Sequence, residues 1–123
     1  MSVTTYRKVS GANQNETFTC LNWDEQILPY AASILINTTN YDTDVVVGLL
    51  TGALTLTANV TSPLIGDLLH LNFSSTAGET GTFSTGFAYV TSTLVVPAAG
   101  EGAITFRFNG NNWAEQYRSI PTS

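Results

Sequence analysis

Charge is what this 123-residue chain has least of: Asp, Glu, Lys and Arg together make up 11% of it, about half the usual quarter. Only four residues are basic, scattered at Arg7, Lys8, Arg107 and Arg118, and the net charge is −5. That is a poor electrostatic match to a phosphate backbone and argues against nucleic-acid binding. A single cysteine, Cys20, excludes a disulfide framework and a multi-cysteine zinc site. Within TFTCLNW it reads as a small buried side chain rather than a reactive thiol. No apolar run approaches the ~18–20 residues that span a bilayer. The opening MSVTTYRKVSG has no apolar core of the kind a signal peptide needs, so no export signal is expected.

Chemistry is equally sparse. Catalysis by acids and bases needs at least two groups of matched pKa in one place. His70, the only histidine, sits in LLHLNF on the face opposite Leu69, Leu71 and Phe73, which reads as a solvent or interface position. Asp42 and Asp44 are spaced like the first ligands of a calcium loop, but the central glycine and the distal glutamate are missing. Ser84 lies in FSTGF, without the G-x-S-x-G elbow or an obvious base. Asn15, Asn37, Asn59 and Asn72 each begin an N-x-[ST] triplet, roughly the number expected by chance in so Ser/Thr-rich a chain. The expectation is a protein that is not an enzyme and holds no cofactor or metal.

What the chain does have is 19 Thr, 10 Ser and 10 Asn against 43% apolar residues. Thr favours strands, while Asn, Ser and Gly favour turns, so the composition predicts all-β structure. Alternation supports it: Leu54, Leu56 and Ala58 against Thr55 and Thr57; Leu69, Leu71 and Phe73 against His70 and Asn72. The clearest stretch is the last, GAITFRFNGNNWAEQYR (Gly102 to Arg118). Asn109-Gly110 marks a hairpin with a type I′ turn, and an even-length turn would gather Phe106, Phe108, Trp113 and Tyr117 on one face. Glu115 then falls on that apolar face and needs a sheet edge or an arginine partner. Asp24-Glu25-Gln26 reads as the start of a short helical turn limited by Pro29. Strand signals recur at about every dozenth residue without an internal repeat, the spacing of a sandwich or barrel. The reading is a single β-sandwich, jelly-roll-like, over residues 17–123, preceded by a short extended N-terminal arm over 1–16.

The order of segments resembles a β module found in virion proteins of tailed bacteriophages, including capsid decoration proteins, head fibres and tail components. The resemblance covers about residues 52–118. It is carried by Gly66, Asp67, Leu69, Leu71 and Phe73, then by Thr82, Phe83, Gly86 and Phe87. Ala99, Gly100, Ala103, Phe106, Phe108, Asn109, Gly110 and Trp113 complete it. It implies a virion structural protein, compact because no long fibrous region is present. The expected role is a capsid decoration protein that stabilises the outer shell, contacting the major capsid protein and copies of itself as a homotrimer. The arm, with Val3, Tyr6, Arg7 and Val9, is the expected interface. The alternative is a tail or head-fibre module that recognises host-surface carbohydrate, with Trp23, Tyr41 beside Asp42, and Tyr89 as the candidate aromatics.

Overall fold

The computed structural model describes residues 3–6 and 20–119, with side chains described over 24–119. All its regular structure is β, in eleven strands. They are β1 (Val3–Tyr6), β2 (Cys20–Leu28), β3 (Ser33–Ile36), β4 (Asp42–Val47), β5 (Leu54–Ala58), β6 (Leu68–Ser75) and β7 (Glu79–Phe83), followed by β8 (Phe87–Ala88), β9 (Leu94–Val96), β10 (Gly100–Phe108) and β11 (Trp113–Ser119). Two sheets face each other. One has seven strands in the order β1-β2-β4-β6-β10-β11-β8, the other four in the order β3-β5-β7-β9.

The connections correct the expected jelly roll. From β2 to β7 each strand passes the chain to the opposite sheet, and β2, β4 and β6 lie parallel to one another, as do β3, β5 and β7. The chain therefore winds as a β-solenoid of about three turns, with two stacked parallel sheets. After β7 it reverses: β9 pairs antiparallel with β7, and β10 antiparallel with β6. The sandwich reading fails because alternation shows only that a strand has one covered face. It does not say whether the next strand pairs beside it or crosses to the other layer.

Why no repeat is legible follows from the register. In the larger sheet Trp23 pairs with Asp42, whereas Thr43 pairs with Leu69, so the second coil is longer than the first. The smaller sheet repeats the mismatch, with Ser33 on Thr55 and Thr55 on Thr82. Coils of unequal length leave no fixed period. One trace does survive: ILINTT (34–39) and LTANVT (56–61) lie in register, Ile34 on Leu56 and Ile36 on Ala58. They place Asn37 and Asn59 at the same corner of successive coils.

The core fills the space between the sheets. Val45, Leu69, Leu71, Ile104, Phe106 and Trp113 from the larger sheet meet Ile36, Leu56, Leu94 and Val96 from the smaller, all fully buried. Phe83, Phe87 and Phe106 form a ring cluster with centroids 4.9–5.2 Å apart, worth roughly 0.5–1.5 kcal/mol per pair beyond the area they bury. The turn that brings Phe87 there is built on Gly86, which holds a φ of +96°. Phe87 N donates to Ser84 O across this turn at 3.1 Å. A Cβ on Gly86 would lie 2.0 Å from the Ala58 carbonyl oxygen.

The last hairpin departs from its expectation in two ways. Its loop runs from Asn109 to Asn112, between the paired Phe108 and Trp113. The Asn109 side chain accepts from the backbone of Asn111 and Asn112 at 2.9 and 2.8 Å, so an Asx turn replaces the type I′ turn. Further along, Phe106 pairs with Glu115 but Thr105 with Tyr117, so Gln116 is the extra residue of a β-bulge. The bulge shifts the alternation by one. Tyr117 is consequently 64% exposed instead of joining the other three aromatics. Glu115 and Arg118 turn inward and pair at 2.9 Å, the arginine partner that Glu115 needed. The expected helical turn at Asp24–Gln26 is absent, because those residues continue β2 beside β4.

Candidate interaction surfaces

The solenoid has two broad outer faces, and they differ in charge. On the larger sheet, register sets Glu25 beside Asp44, Asp44 beside His70 and His70 beside Thr105. Asp42, Glu101 and Arg107 share this face by strand alternation, so among the described residues four carboxylates stand against one guanidinium. Its acids also have structural work. Asp42 Oδ1 accepts from Leu68 N at 2.9 Å, and Asp44 Oδ1 accepts from Asn72 Nδ2 at 3.0 Å. His70 is half-buried on this face, its Nδ1 hydrogen-bonded to Thr105 Oγ1 at 2.8 Å. Among the described residues, no group of three or more His, Cys, Asp or Glu is arranged to hold a metal ion.

The outer face of the smaller sheet carries no ionisable side chain among the described residues. Ser33, Thr55 and Thr82 lie in register across β3, β5 and β7, and the antiparallel register of β9 extends the row to Thr93. Thr57 and Ser84 flank that row on one side, Ala53 and Thr80 on the other. Leu35 on β3 and Val95 on β9 complete the face at its two edge strands, 55% and 56% exposed. The alternation that buries Leu54, Leu56 and Ala58 forces Thr55 and Thr57 outward. Hydroxyl groups thus stand in rows on a rigid sheet.

A third feature is the β5–β6 loop. Asp67 closes it, its Oδ2 accepting from Leu64 N at 2.9 Å while its own N donates to Leu64 O at 3.0 Å. The loop presents Leu64 and Ile65 to solvent. Behind it, the corners of two coils are clamped together. Thr38 N donates to Asn59 Oδ1, Thr38 Oγ1 reaches the same oxygen at 2.7 Å, and Asn59 Nδ2 donates to Thr38 O at 2.9 Å. Asn59, which the sequence marks only as a glycosylation-type triplet, is therefore a structural bracket between turns of the solenoid. The matched N-x-T of ILINTT and LTANVT was the signal that could have found it.

The residues singled out in the sequence are dispersed. Val3 and Tyr6 fall in β1, which pairs antiparallel with β2 of the same chain; Arg7 and Val9 lie outside the described residues. Cys20 and Trp23 are placed by their backbone in β2, and their side chains lie outside the described set. Tyr41 is half-buried, and its neighbour Asp42 is engaged by Leu68. Tyr89 stands 80% exposed with φ at +55°. Ser84 is exposed, and its backbone forms the Gly86 turn. The charge-free face was not foreseen, because it depends on which strands share a sheet. No protein-family model matches the chain, and no curated protein matches it.

Proposed function

We propose that this chain is a structural protein of bacteriophage virions, a capsid decoration protein that stabilises the outer shell together with the major capsid protein and further copies of itself. The observation that carries this reading is the outer face of the four-stranded sheet. It is built on four hydrogen-bonded strands and carries no ionisable group among the described residues, so covering it desolvates no ion. Apart from Ser33 and Leu35 on β3, its residues come from the stretch that resembles the phage module, Thr55, Thr57, Thr80 and Thr82 above all. The stacked coils supply a stiff frame, since each turn is hydrogen-bonded to its neighbours through both sheets. Individually weak contacts of this kind add by avidity when many copies sit on one lattice. The N-terminal arm over 1–16, with Val3, Tyr6, Arg7 and Val9, is proposed to tie a copy to its neighbour; its strand β1 already pairs with β2 and ends the larger sheet, so a strand of the neighbour would add beside it.

The test is quantitative mass spectrometry of purified particles, with this chain counted against the major coat protein. A ratio near one to a few coat subunits supports the decoration role. A handful of copies per particle would move the protein to a tail or vertex fibre, and its absence from particles would refute the virion reading altogether.

A further inference from the structure

We infer that the charge-free outer face of the four-stranded sheet is where copies of this chain meet one another, rather than where the coat protein binds. The inference rests on reading this face as an interface, but it does not depend on the virion assignment.

Charge selects the face. A second copy carries the same −5, and among the described residues the outer face of the larger sheet presents Glu25, Asp42, Asp44 and Glu101 against Arg107. Two such faces repel each other, and like charges set opposite one another in an interface cost several kcal/mol. The smaller sheet presents Ser33, Thr55, Thr57, Thr80, Thr82 and Thr93, none of which opposes a like charge.

Chemistry then selects the partner. A hydroxyl both donates and accepts, so a hydroxyl row of one copy can hydrogen-bond the same row of another without setting like groups against each other. Exposed apolar side chains do not separate the two faces, since Leu35 and Val95 stand at this one's edge strands and Ile27 and Val46 on the larger sheet's outer face, so charge decides.

Area sets the strength. Four strands about 4.8 Å apart and about five residues long make a plane of roughly 300 Å², well below the ~800 Å² per partner of a standard stable interface. Free copies therefore associate weakly, with a dissociation constant on the order of 100 µM. The contact becomes effective where copies are already held side by side.

Sedimentation velocity of the full chain across a wide concentration range tests this directly, beside Thr82→Lys and the control Gln116→Lys. Both substituted positions are exposed strand residues, and thermal melts of the three proteins check that each is folded. The expected result is reversible association of the wild type and of Gln116→Lys at high concentration, and none over the same range in Thr82→Lys, whose ammonium would be desolvated without a partner. A wild type that stays monomeric throughout would overturn the inference, as would a folded Thr82→Lys that associates like the wild type. If the wild type is monomeric yet Thr82→Lys no longer joins particles, the face belongs to the coat protein. In that case the inference fails while the virion reading stands.

Discussion

Replacing Gly86 by alanine separates two effects that one glycine combines. Its φ of +96° is strained for an L residue, a penalty of roughly 1–2 kcal/mol. In addition, the new methyl carbon would stand 2.0 Å from the Ala58 carbonyl oxygen and 2.9 Å from its carbon. Those are backbone atoms of β5, so the turn must move. Moving it disturbs two hydrogen bonds, Ala58 N to Thr85 O at 3.0 Å and Trp113 N to Gly86 O at 2.8 Å, each worth about 1 kcal/mol net. With the smaller entropy of the unfolded chain counted, Gly86→Ala should therefore lose about 2–3.5 kcal/mol, a large share of a typical 5–15. Gly66 is the control. Its φ is +98°, but the nearest atom to an added Cβ is the mobile end of Arg107 at 3.7 Å. Gly66→Ala should lose only the conformational part, about 1 kcal/mol after the smaller entropy of the unfolded chain is counted. Urea denaturation of the three proteins, read by tryptophan fluorescence, gives both differences. Equal losses at the two sites would refute the close approach of the Gly86 turn to β5, and with it the way β7 is led across to β8.

Four further outcomes are expected. Ala99 holds φ at +52° at an exposed position, so Ala99→Gly should stabilise the fold by about 0.5–1 kcal/mol, seen as a raised melting temperature; a lowered one would contradict the strain. Asn59→Ala removes the partner of both backbone groups of the buried Thr38 and should cost about 2–3 kcal/mol in denaturant melts, whereas a loss too small to measure would mean the bracket is not needed. The Glu115 and Arg118 side chains are 7% and 17% exposed, so Arg118→Met should destabilise by about 2–3 kcal/mol and added Glu115→Gln should restore part of it; additive losses in that double-mutant cycle would dismiss the pairing. Deleting residues 2–10 should leave a cooperatively melting domain that no longer joins particles, and normal incorporation would rule out the arm as the tie.

Much of this molecule is local, and the sequence determined that much by itself. Threonine-rich alternation decided that the chain is β, and it decided which side of β5, β6 and β10 is buried, because a strand's faces follow from a period of two. The same alternation put Glu115 among aromatics, from which its need for a partner such as Arg118 could be read. Tertiary structure decided what depends on distant pairing. β4 lies beside β2 because the chain crosses to the other sheet as β3 between them, and successive coils of unequal length leave no period to detect. The bulge at Gln116 sends Tyr117 outward, since a single added residue reverses every later side chain. The charge-free face exists because β3, β5, β7 and β9 line up in one sheet. Their outward hydroxyls come from four separate segments, and no one of those segments shows the array alone.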